Sequence, residues 1–130
     1  MAEAVLLDTH AWVWSFADPG RLSARARAVL DEAAAVAVSP ISFFEIGQKV
    51  RTGKWPEMAP FAADLPAMLR DQGGVVAALT PEICLRAALA AWDHRDPFDR
   101  LLAATAEATA LPLISRDAVF DARPGVVRVW

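Results

Sequence analysis

The sequence predicts an α/β fold in which helices alternate with the strands of a mainly parallel sheet of about five strands. Two observations carry this. Short runs that are apolar at every position recur along the chain, the pattern of strands buried on both faces. Between them lie stretches of helical period, opened by Ser, Thr or Asp caps and more than once by a cap followed by proline.

Taken in order, Ala4-Val5-Leu6-Leu7 is the first strand, ending at Asp8. Asp8 or Thr9 caps a short helix through Phe16, and Asp18-Pro19-Gly20 turns the chain. Ser23 caps a helix over 24–34, and Val36-Ala37-Val38-Ser39 is the second strand. Ser42-x-x-Glu45 has the spacing of a capping box and starts the next helix. A break containing Gly53 leads to a helical stretch ending near Arg70, where Pro66 implies either a kink or two short helices. Val75-Val76-Ala77-Ala78-Leu79 is the third strand, and Thr80-Pro81-Glu82 opens a helix to about Trp92. Asp96-Pro97 opens another to about Thr109, with Phe98, Leu101, Leu102, Thr105 and Ala106 as its apolar stripe. Leu111-Pro112-Leu113-Ile114-Ser115 is the fourth strand, a short turn runs from Asp117 to Phe120, and Val126-Val127-Arg128-Val129-Trp130 closes the chain as an edge strand.

Composition bounds the function. The 130 residues are expected to form a single domain over 1–130, and with 55% hydrophobic residues they have ample core. No apolar run is long enough to span a bilayer, and no basic region precedes the first one, so neither membrane nor export is expected. The lone Cys84 suits a reducing cytoplasm and falls in an apolar helical pattern, as an inert core residue would. A net charge of −3 argues against binding nucleic acid by bulk electrostatics. It does not exclude a nucleic-acid substrate reached through a metal ion.

The acids carry the functional signal. Asp8 follows the first strand, Glu45 opens the helix after the second, Asp99 lies in the first turn of the late helix, and Asp117 follows the fourth strand. In a parallel sheet, strand C-termini and the helix N-termini after them share one edge, so these residues can converge without being neighbours in sequence. Two carboxylates about 4 Å apart repel by roughly 4 kcal/mol at an effective dielectric near 20, so a shared cation is needed if several are to stay ionised. Oxygen ligands favour Mg²⁺ or Mn²⁺ over zinc, and that chemistry suits phosphodiester hydrolysis. Each acid also has a plainer reading as a turn or cap residue. Asp96 reads mainly as the cap of its helix, and His10 and His94 read as structural or substrate-adjacent rather than as ligands.

The same residues resemble the motifs of the PIN domain, the ribonuclease fold of VapC-type toxins from toxin–antitoxin pairs. Leu6-Leu7-Asp8-Thr9-His10-Ala11-Trp12 resembles the opening motif and Ser39-x-x-Ser42-x-x-Glu45-Ile46 the second. Asp96-Pro97-Phe98-Asp99-Arg100-Leu101-Leu102-Ala103-Ala104-Thr105-Ala106 resembles the third and most specific, and Leu113-Ile114-Ser115-Arg116-Asp117 the fourth, with Ser115 where Thr is common. The resemblance implies a PIN-like three-layer α/β/α fold and a cytoplasmic, Mg²⁺-dependent endoribonuclease, with Mn²⁺ as a substitute. It places metal-ligand and catalytic roles on Asp8, Glu45, Asp99 and Asp117, with Ser115, Asp96 and Thr9 in support. It further implies an RNA substrate, a homodimer and a cognate VapB-like antitoxin.

Arg100 and Arg116, each beside an acid, are expected to flank the cleft and hold RNA phosphates, with an ion pair to one of the acids as the other reading for Arg116. Five tryptophans, Trp12, Trp14 and Trp55 among them, are many for so small a core to hide and point to exposed apolar surface at an interface. Two other functions fit less of the pattern. One is a catalytically silent PIN-like module that only binds RNA or protein. The other is an Asp-nucleophile phosphatase, which usually has a second Asp two residues after the first, where this chain has His10.

Overall fold

The computed structural model describes residues 3–130. Five parallel strands form one sheet in the order β3-β2-β1-β4-β5: β1 (Ala4–Leu7), β2 (Ala35–Val38), β3 (Val75–Val76), β4 (Leu113–Ile114) and β5 (Arg128–Val129). The helices between them are α1 (Thr9–Ala17), α2 (Ala24–Glu32), α3 (Pro40–Arg51), α4 (Leu65–Asp71), α5 (Pro81–Leu89) and α6 (Pro97–Thr109). The expected α/β/α architecture with a parallel sheet is therefore the one observed. Among the described residues no helix is long and apolar enough to cross a membrane.

Strand alternation divides the core into two layers. Val5, Leu7, Val38 and Ile114 pack on one face against Trp12 of α1, Ala26 of α2, Ile46 of α3 and Leu69 of α4. Leu6, Ala37 and Leu113 point to the other face and meet Leu102, Ala103 and Ala106 of α6, together with Phe120. On the outer side of α6, Ala104 receives Ile83 and Ala87 of α5. Runs such as Val5-Leu6-Leu7 are apolar throughout because both faces are covered.

Several local expectations are corrected. The helix after β2 begins at Pro40, not Ser42: the Ser39 hydroxyl accepts from the Ile41 amide at 3.1 Å, and proline follows the cap. Ser42 lies within the first turn and its hydroxyl accepts from Thr9 Oγ1 at 2.8 Å. The stretch before Arg70 is broken into two short 3₁₀ turns, Pro56–Met58 and Ala62–Asp64, followed by α4, where Pro66 sits in the tolerant first turn. β3 covers only Val75–Val76 of the expected 75–79 strand and lies at a sheet edge, with Val76 63% exposed. Cys84 is exposed because Ile83 and Ala87, four apart, take the inward face of α5. Of the five tryptophans only Trp12 is buried, its indole N–H donating to Gln72, while Trp14, Trp55, Trp92 and Trp130 keep part of their surface accessible.

Candidate active site

β1 lies at the centre of the sheet, with the chain building outward to β2 and β3 on one side and returning to β4 and β5 on the other. The point between β1 and β4, where the winding reverses, is where open α/β sheets place ligands. Asp8 follows β1 there, and Ser115 and Asp117 follow β4. A cavity of about 510 Å³ opens at that point, lined by Asp8, Glu45, Asp99 and Asp117 together with Asp96 and Thr9. All four acids expected to converge are brought to one cavity.

Each acid is positioned by the start of a helical segment. Asp8 caps α1, accepting the Ala11 amide at 2.7 Å. Glu45 is one turn inside α3, 7% exposed, and takes an ion pair from Lys49 Nζ at 2.9 Å. Asp99 sits in the first turn of α6, and its carboxylate shares a 2.7 Å hydrogen bond with His94 Nε2. Asp96 is the cap of α6, as expected, accepting from the Phe98 and Asp99 amides through one oxygen. Asp117 caps the 3₁₀ turn Ala118–Ala122 through the Val119 amide. The buried Ser115 hydroxyl accepts the Asp117 amide at 3.1 Å and so fixes the turn that follows β4.

Electrostatics shows how close the acids stand. Asp8 keeps a little surface on the cavity but is enclosed on nearly every other side. Burial pushes its carboxyl up from 3.8 to about 6, against hydrogen bonds from Ser115 and the Ala11 amide, and the charges of Asp99 and Glu45 push it the same way. Burial also raises Asp99, with Asp96 and Asp117 adding repulsion and the His94 hydrogen bond opposing it. Partial enclosure by the cavity wall lowers the His10 imidazole, helped by the Lys49 charge.

The donor set suits a hard divalent cation in kind, being all carboxylate oxygen around a shared repulsive centre. Among the described residues, no three His, Cys, Asp or Glu side chains are close enough together to hold a metal ion as they stand. Lys49 and His94 hold Glu45 and Asp99 in place. Lys49 gives Glu45 a positive partner, whereas Asp99 shares a hydrogen bond with the His94 ring nitrogen.

The two arginines differ. Arg116 stands exposed on the cavity rim and forms no ion pair among the described residues. Arg100 does not line the cavity, which corrects the expectation that it flanks it. Its guanidinium donates to the carbonyls of Ala87, Ala88, Ala90, Trp92 and His94, gathering the end of α5 and the connection to α6. No donor direction remains for a phosphate. Lys49 was missed in the sequence reading, although its position four residues after Glu45 on one helix is a readable signal.

Comparisons with known proteins agree with this geometry. Residues 5–126 match the PIN domain family. The chain is 32% identical to ribonuclease VapC22 of Mycobacterium tuberculosis over 97% of its own length and 98% of that protein. A chain from a toxin–antitoxin complex of Klebsiella pneumoniae shares the fold, with TM-score 0.62, 21% identity and 95% of each chain covered. So does a chain of the VapBC2 complex of Rickettsia felis bound to a promoter DNA fragment, with TM-score 0.62, 15% identity and 96% of each covered. A parallel sheet with acids gathered at its switch point, matched along nearly the whole chain to these proteins, belongs to the PIN-domain family in its VapC-like branch.

Proposed function

We propose that this protein is a cytoplasmic, metal-dependent endoribonuclease that acts as a toxin and is neutralised by a cognate VapB-like antitoxin. The observation that carries the reading is the convergence of Asp8, Glu45, Asp99 and Asp117 on one cavity. The name of its relative, ribonuclease VapC22, supports RNA as the substrate. The toxin–antitoxin complexes that share its fold support the antitoxin. A homodimer fits large apolar side chains left on the surface, Phe44 at 61% and Leu89 at 79% exposed.

Asp8, Glu45, Asp99 and Asp117 would hold Mg²⁺, or Mn²⁺ in its place. A cation bound there supplies an activated water and neutralises charge on the phosphate oxygens. The chain's own residues do the positioning. The Thr9–Ser42 hydroxyl pair locks the start of α1 to α3, and with it the spacing between Asp8 and Glu45. Ser115 fixes the backbone at Asp117. Arg116 and Lys49 are the cations on the cavity wall able to meet a phosphate.

The test is cleavage of RNA by purified protein with Mg²⁺, in excess EDTA, and after Mg²⁺ is restored. Cleavage should vanish in EDTA and return with the ion; cleavage undiminished in EDTA would sink the metal-dependent reading. Sequencing the RNA ends after a brief induction identifies the target.

A further inference from the structure

We propose that His10, Trp14 and Trp55 form a nucleobase-stacking subsite, which seats an unpaired base of single-stranded RNA beside the acid cavity. The proposal rests on the RNA reading and names the form of RNA that the site takes.

The three rings form one cluster. His10 stacks on Trp55 with centroids 4.8 Å apart and an interplanar angle of 25°, and it meets Trp14 at 5.6 Å. The two tryptophans pack in part against the core, Trp14 also meeting Trp130 at 6.0 Å, whereas Trp12 is fully buried within it. His10 is exposed, and Trp14 and Trp55 both keep accessible surface.

Their placement links two cavities. His10 and Trp14 line the acid cavity. Trp14 and Trp55 line a second groove of about 640 Å³, with Phe16, Phe61 and Arg21. A strand leaving the acids along this path must cross Trp14. Cations accompany the rings: Lys49 Nζ lies 5.5 Å from the Trp55 centroid and the Arg21 guanidinium 5.8 Å from that of Trp14, the latter also paired with Asp18. Aromatic faces alternating with cations form the usual groove for bases and phosphates of single strands.

Charge adds an independent argument. At a net −3 the chain gains little from bulk attraction to RNA, so contacts that salt does not screen must add to its few phosphate contacts. Stacking is one, and it requires bases splayed from a duplex.

The experiment uses the full chain carrying Asp99→Asn, which keeps the probe intact, and reads tryptophan fluorescence. The probes are a short oligoadenylate, a strand of the same length with abasic sites, and the oligoadenylate annealed to its complement. The intact strand should quench fluorescence and bind at least roughly five-fold tighter than the abasic strand, with the duplex no better than the abasic strand. His10→Ala and Trp55→Ala should each remove most of that preference without changing abasic binding, while Trp14→Phe, which keeps a ring and the fold, should retain part of it. Equal binding of intact and abasic strands, or a preference that survives both alanine variants, overturns the stacking site. If the protein with Asp99 intact nevertheless cleaves RNA, the RNA reading stands and only the subsite has failed. If it neither binds nor cleaves RNA, the functional reading itself has failed and the subsite with it.

Discussion

The acid cavity has two walls of unlike character. On one, Asp8 and Glu45 are set into the protein, and the Asp8 carboxyl is raised to about 6 chiefly by burial. On the other, Asp96 and Asp117 are exposed, and each accepts backbone amides at the start of a helical segment. Asp99 stands between, partly buried and held by His94. The same side-chain chemistry thus does two jobs. The exposed wall stabilises the fold with its carboxylates, whereas on the buried wall the Asp8 carboxylate is disfavoured by burial and Glu45 is held by Lys49.

The sharpest break in this comparison is between Asp99 and Asp96, three residues apart on α6. Asp99→Asn should lower RNA cleavage by roughly 100-fold or more, since it removes a charge from the proposed metal site. Its melting temperature should be kept or raised. Asp96→Asn should keep most activity, because Asn caps a helix about as well as Asp. If Asp96→Asn is as inactive as Asp99→Asn while still folded, the division of the two walls is wrong at this point.

Asp8→Asn tests the buried wall through pH. Asp8 binds its proton more tightly folded, at about 6, than unfolded, at 3.8, so the folded state holds more protons between these values. Stability contributed by Asp8 therefore falls as pH rises from 3.8 towards 6 and stays low above it. In EDTA at neutral pH, Asp8→Asn should stabilise the protein by up to about 3 kcal/mol, read as a melting temperature higher by several degrees. The gain should shrink on acidification to about pH 4, and a gain that does not depend on pH would refute the assignment. Mg²⁺ should reverse the order, because the proposed site would bind it more tightly with Asp8 present.

Arg100→Ala probes the scaffold of the open wall. Loss of a charged donor to five carbonyls should destabilise the fold by about 3 kcal/mol, and Arg100→Lys should recover little of it, since an ammonium cannot fork. The salt slope of RNA binding should not change, whereas Arg116→Ala should make it shallower. A normal melting curve for Arg100→Ala would contradict the clamp. The smallest effect belongs to Ala110, which ends α6 at a φ of 55°, a left-handed conformation that favours glycine. Ala110→Gly should stabilise by about 1 kcal/mol without touching either wall, raising melting temperature with cleavage unchanged.

All four acids were legible because each follows a local signal: an apolar run ending in Asp8 or Asp117, or a helix start carrying Glu45 or Asp99. Parallel topology then places them together. Arg100 was not legible, because its partners are backbone carbonyls, which leave no trace in residue identity. The start of α3 was misplaced because Ser39 and Ser42 both offer plausible caps, and only the fold shows that the Ser42 hydroxyl is engaged with Thr9. The outward turn of Cys84 and the exposure of β3 depend on which neighbours cover α5 and the sheet edge, and spacing alone does not report that.

The Arg100 clamp also gauges length. One guanidinium measures the chain at positions 87, 88, 90, 92 and 94 and ends two residues short of the Asp96 cap. The grip is on backbone, so the exposed side chains of Ala91, Asp93 and Arg95 are free to vary. A single residue inserted or deleted between Ala90 and Asp96 is a different matter. It would leave partly buried carbonyls without their donor and carry His94 away from Asp99. This connection should therefore tolerate substitution freely and insertion hardly at all, the reverse of an ordinary surface loop.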